Sequence, residues 1–324
     1  RSKANGIINI MGYIGGACAT LVGIVFALTT YLGPTSENWV NHTGNIWIIE
    51  APFLIASVLM VISALVLFFS INENKIEKEV AGDLALGEKM AAVQNEVAHD
   101  DSKPMSKANK IMLFLILGAE FLWFMADNGI GTFMNNYAIY YLHCKSSTSM
   151  INTIIGGVGS VVGFLVGGIL AGKIGRKWTV VTGLGMTLTA LLIWAILSFA
   201  LPVQLPAEGT YNSFPVYLYI VFALKGLGMS FVHVNSFPMV VELCSSKKIG
   251  KFTGYYYASS MLAQTITPCL IGLFLLIPNF SFRFLPIYAL VCIAGATIVF
   301  MFVKNVKVNK TEIKKGLEAL DVDD

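Results

Sequence analysis

Eight apolar runs dominate the chain, at roughly 5–32, 46–71, 111–142, 150–171, 178–201, 215–243, 252–277 and 283–303. Each is long enough for a helix that crosses a hydrocarbon core, which takes about 20 residues, and several leave room for tilt. Backbone polar groups in lipid must find partners inside the protein, so only α-helices and closed β-barrels span a membrane. Barrel strands read as segments of about ten residues with alternating polarity. The runs here are continuous, which selects helices and predicts an all-α integral membrane protein. Composition agrees: 56% of residues are hydrophobic and 13% are charged, against about 25% charged in ordinary globular chains.

Cytoplasmic segments of such proteins carry the excess of lysine and arginine. With the N-terminus inside and every run crossing once, nineteen of the 22 basic residues fall on the cytoplasmic side. Only Lys145 and Arg283 fall outside, and Lys225 lies within a span. Residues 72–110 form the one long hydrophilic segment, and it divides two spans from six. In it Ile76, Val80, Leu84, Met90, Val93 and Val97 recur at near-helical intervals, which predicts a surface helix along the membrane, then a flexible piece around Asp100–Pro104. The glycines of the first and fourth runs predict close helix packing. Asn41-His42-Thr43 is a formal glycosylation sequon in an outer loop.

Two spans break the apolar pattern. The 111–142 run carries Glu120 and Asp127, followed by Asn128, Thr132, Asn135 and Asn136. Seven residues make about two helical turns, so the two acids share a face with much of this polar stripe. A carboxylate in hydrocarbon costs at least a few kcal/mol, so it faces protein or a water-filled path and marks a functional site by default. The alternative is a set of interhelical hydrogen bonds that only holds a bundle together. The 215–243 run buries Lys225, His233, Asn235 and Ser236 and contains Pro238, which removes a backbone donor and is expected to bend the helix. The 252–277 run adds Gln264, Thr265, Thr267 and Pro268. At about 1.5 Å per residue, Asp127 and Lys225 lie within 10 Å of the same depth. The expected arrangement is two tiers of acid facing base: Asp127 with Lys225, and Glu120 with His233.

Other chemistries find little support. The five cysteines, Cys18, Cys144, Cys244, Cys269 and Cys292, lack metal-ligand spacing and read as small buried hydrophobes. No Gly-x-Ser-x-Gly, His-Glu-x-x-His or phosphate loop occurs. The chain is not expected to be an enzyme, and no metal, cofactor or nucleic-acid partner is expected.

At the polar spans and the short turns the chain resembles the major facilitator superfamily. Gly168-Ile169-Leu170-Ala171-Gly172-Lys173-Ile174-Gly175-Arg176-Lys177 is similar to its cytoplasmic loop signature, G-x-x-x-D-R-x-G-R-K, with Gly172 and Lys173 in place of the acid and the arginine. Within the superfamily it resembles the glycoside–pentoside–hexuronide cation symporters and sucrose–proton symporters. Phe121, Trp123, Phe124, Asn128 and Thr132-Phe133 look like their seventh helix. The stretch from Asn235 through Pro238 to Glu242 looks like the tenth, and Gly250 to Tyr256 with Gln264 and Thr267-Pro268 like the eleventh. Where that branch has a glutamate before Thr132, this chain has Gly131, and Asp127 stands four residues earlier on the same face.

The resemblance implies a major-facilitator-type helix bundle with eight spans present of an expected twelve. Residues 1–71 would be the last two helices of an N-terminal bundle, 72–110 the inter-bundle linker, 111–304 a six-helix C-terminal bundle and 305–324 a cytoplasmic tail. The start at Arg1 fits a piece of a longer chain. The function implied is a secondary transporter, a proton-coupled symporter of a sugar or glycoside, acting as a monomer in the lipid bilayer of a plasma or bacterial inner membrane. Asp127, Glu120 and His233 would handle protons. Asn128, Thr132, Asn135, Asn235 and Gln264 would bind solute hydroxyls, with Lys225 at the same site and Trp123 stacked on a sugar ring. Gly168, Gly175, Arg176 and Lys177 would form the cytoplasmic loop motif. An organic-acid or nucleoside carrier on the same fold, or a membrane sensor that does not transport, remains the alternative.

Overall fold

A computed structural model of the chain describes residues 46–70 and 105–304 except 245–247 and 278–279, with isolated positions between 10 and 21 and at 75 and 78. Most of the first apolar run, the sequon, the expected surface helix and the C-terminal tail lie outside the described residues.

Seven helices long and apolar enough to cross a membrane stand among the described residues. They are α1 (Ile46–Ser70), α2 (Lys107–Asn136), α3 (Ser146–Ile174), α4 (Arg176–Ala200), α5 (Val216–Val241), α6 (Ile249–Leu275) and α7 (Leu285–Met301). No strand occurs among the described residues beyond an isolated bridge between Cys144 and Asn212. The outward side chains are large and apolar: Phe114, Ile220 and Val291 are 74%, 68% and 64% exposed. Such surface is tolerable where the solvent is lipid.

Local chemistry moves some expected boundaries. Ser106 caps α2, its hydroxyl accepting the Asn109 N–H at 3.2 Å, so Lys107–Lys110 are helical rather than linker. At its far end α2 passes into a π-helical turn, Tyr137–Tyr141, a wide turn that is frequent at functional sites. Tyr137 there is fully buried. Its hydroxyl lies 2.7 Å from Ser198 Oγ, and its ring meets Trp194 edge-on at 5.2 Å. Pro238 neither breaks nor shortens its helix much, because it stands within the last turn of α5.

In the bundle α5 packs on α3 and α4, while α2 packs on α6 and α7 and α7 also meets α4. The α3–α5 and α4–α5 seams are close because glycine faces backbone. A Cβ on Gly163 would stand 2.6 Å from the Leu227 carbonyl oxygen, and one on Gly228 the same distance from that of Gly183. Gly168 has open space around it, so the dense glycine pattern of α3 overstates how much of that helix is in tight contact. The cysteines also divide: Cys144 and Cys292 are buried, whereas Cys18 and Cys269 are exposed, contrary to the expectation that they all act as core hydrophobes.

Candidate functional site

Helix α2 has only a slim contact with α5, and that seam holds the charged residues. Lys225 on α5 forms an ion pair with Asp127 on α2, as depth along the two helices predicts. Their side chains are 16% and 28% exposed, so the pair sits at an edge of the packed bundle and not in its core. A lone lysine or aspartate at this depth would be strongly disfavoured, and pairing with hydrogen bonding is the usual remedy. Asn128 beside it donates from Nδ2 to the Phe124 carbonyl at 2.8 Å, which leaves its own carbonyl oxygen for a further partner. Thr132 is exposed, and Asn135 and, on α6, Gln264 are half-buried.

The second expected tier does not form. Glu120 is fully buried and neither carboxylate oxygen has a hydrogen-bond partner. The neutral phenol of Tyr256 on α6 is close enough to interact with it electrostatically. His233 instead turns toward Asp127, its ring 5.3 Å from that of Phe124 and close enough to Asp127 to interact with it electrostatically. Helix geometry explains the correction. Eight residues past Lys225 rotate a side chain about 80° from it, so His233 does not continue straight down the Lys225 face.

Two expected solute ligands are placed elsewhere. Trp123 is fully buried and stands edge-on to Phe300 of α7 at 6.2 Å, so its ring is core and not a platform for a solute. Asn235 is also fully buried; its Nδ2 donates to the Phe231 carbonyl at 2.9 Å and its Oδ1 has no partner. Sequence reading gave other buried polar groups no role. Asn152 on α3 is fully buried with both amide atoms unpartnered, and its only signal was an amide in an apolar run. Ser236 and Tyr256 share a hydrogen bond of 2.8 Å beside Glu120, and Thr267 links α2 to α7 through Met125 and Tyr288.

The loop motif closes the other end of the bundle. Gly175 adopts a φ of 85°, open to glycine at little cost, and so turns α3 into α4 in one residue. Arg176 then pairs with Glu242 at the end of α5. Lys177 donates to the Met301 carbonyl at 3.1 Å, on the last turn of α7. Three helix ends are thus tied at the face that the charge pattern assigns to the cytoplasm, while Gly168 takes no part in a close contact.

The chain matches the sequence model of the Major Facilitator Superfamily over residues 1–203 and again over 116–320. It belongs to the major facilitator superfamily. The two matches overlap across α2–α4. No curated protein matches the chain. As a superfamily member it is a multi-pass integral membrane protein and a membrane transporter of small solutes.

Proposed function

We propose that this transporter carries a neutral, hydroxylated solute, a sugar or glycoside, in symport with protons and by alternating access between two helix bundles. In that arrangement 1–71 closes the first bundle, 72–106 links, 107–304 forms the second bundle and 305–324 is a tail. The observation that carries the reading is the Asp127–Lys225 pair. With the lysine charge cancelled, the solute ligands we assign are amides and a hydroxyl: Asn128, Thr132, Asn135 and Gln264. These suit hydroxyl groups better than a charged solute, which would leave its charge uncompensated. Asp127 is the acid beside the solute. Glu120, sealed about two helical turns away without a partner, is the acid whose surroundings must change for it to exchange a proton, which is what coupling to a conformational cycle requires. His233, within electrostatic reach of Asp127, is the third group on the proton path.

A second reading has its own support. Lys225 keeps 16% exposure, so an organic anion competing with Asp127 for the ammonium would also fit. Uptake of labelled neutral sugars and of their uronic acids into proteoliposomes, with and without an inward proton gradient, separates the two. Gradient-driven uptake of a neutral sugar that is lost in Asp127→Asn and Glu120→Gln supports proton–sugar symport. Uptake of the uronic acid alone, lost in Lys225→Ala, replaces it with the anion reading.

A further inference from the structure

One cavity stands away from the α2–α5 seam. It has a volume of 360 Å³ and lies at the opposite end from the Arg176–Glu242 latch, between the π-helical turn that ends α2, the end of α4 and the loop leading into α5. Its walls are built, not frayed. Asn212 donates both amide protons, to the carbonyls of Leu142 at 2.9 Å and Gln204 at 2.8 Å, and its backbone N–H goes to the His143 carbonyl at 3.0 Å. His143 holds a φ of 56°, a backbone conformation uncommon outside glycine, at the point where the two loops are pinned together. Strain of this kind gathers at ligand clamps.

The chemistry facing the cavity is specific. Tyr141, Tyr217, Ser213, Gln204 and Asn212 line it, the Ser198 hydroxyl at its wall is already engaged by Tyr137, and no lining residue carries a charge. The nearby guanidinium of Arg283 is already engaged with the Ser198 and Phe199 carbonyls at 3.2 and 3.3 Å and lies over the Phe199 ring. Tyr141 donates to the Ser198 carbonyl at 2.7 Å, so its oxygen keeps accepting capacity, as does Asn212 Oδ1. A volume in this range suits a small ligand. Tyrosines and prolines interspersed with neutral donors and acceptors suit one that has both an apolar face and several hydroxyls.

We propose that this cavity is a second, peripheral binding site for a neutral, sugar-sized glycoside, separate from the transport seam. Its occupant rests on Tyr141, the last residue of the π-helical turn, and so holds the end of the helix that carries Asp127 against α4. The proposal does not depend on what the seam transports.

The test is equilibrium binding of tritiated methyl α-D-glucopyranoside, methyl β-D-galactopyranoside and methyl β-D-xylopyranoside to the full chain in lipid nanodiscs, with unlabelled glucuronate as competitor. Ser213→Trp fills the cavity from an exposed loop position, and Gln204→Ala removes a rim amide without touching a helix. The expected result is a binding component for at least one glycoside that weakens tenfold or more in both variants, persists in Asp127→Asn and resists glucuronate. Binding unchanged by Ser213→Trp, or no glycoside bound by the wild-type chain, overturns the site. Equal competition by glucuronate overturns its neutral character.

Discussion

Asp127 and Lys225 make each other tolerable in the span, and that reciprocity can be measured. Removing Lys225 alone leaves a carboxylate without its partner, so Lys225→Ala is expected to lower the thermal unfolding midpoint. Adding Asp127→Asn to it should recover part of the loss, with a coupling of about 0.5–3 kcal/mol in a double-mutant cycle. Additive effects would show that the pair is a crystal-like juxtaposition with no energetic content. Glu120 predicts the opposite sign. Its two oxygens are buried without partners, and replacing an unsatisfied buried polar group by an apolar one of similar shape is neutral or stabilising, the unmet group costing about 1–3 kcal/mol. Glu120→Met should therefore keep or raise the unfolding midpoint while abolishing proton-driven uptake. A large loss of stability would mean that the carboxyl holds the fold together and is not kept for exchange.

At the scale of elements, the helices were readable because each span is a run of apolar residues with charged or turn-forming residues at its ends. Facing residues were readable only where depth alone decides. Asp127 and Lys225 lie at similar depth and meet. Glu120 and His233 also lie at similar depth, yet rotation about the helix axis carries them apart, and rotation depends on which neighbours a helix packs against. Trp123 shows the same limit: one helical turn before Asp127, it belongs to the α2–α7 contact. Asn152 and the cavity above Tyr141 were not readable, since the residues around them come together only in the fold. Glycine counting failed in a similar way. Gly163→Ala should destabilise by about 1–3 kcal/mol through overpacking against Leu227, whereas Gly168→Ala should be neutral or gain up to about 1 kcal/mol from helix propensity. Thermal unfolding of the two variants in one detergent distinguishes a tight seam from an open one.

For the whole molecule, the Arg176–Glu242 pair and the Lys177–Met301 bond tie α4 to α5 and α7 at one face. A bundle that alternates its access must be able to release such ties. Arg176→Ala is expected to favour the conformation open at this face. Cys244, two residues beyond Glu242 and half-buried, reports it: its alkylation rate, read by mass spectrometry, should rise several-fold over wild type, while that of exposed Cys269 stays constant. An unchanged Cys244 rate would show that the latch does not govern access.

The paired charges also bear on how the protein responds to voltage. One elementary charge crossing a membrane potential exchanges about 2.3 kcal/mol per 100 mV. Asp127 and Lys225 together sum to zero while both are ionised, so helices that move as a pair carry no current of their own, and under the proposed symport the membrane potential drives the cycle only through the proton. Neutralising one partner ends that immunity: Asp127→Asn leaves a positive charge in the span and Lys225→Ala a negative one. Transport currents on solid-supported membranes should therefore shift along the voltage axis in opposite directions in the two variants, and the double variant should return toward wild type.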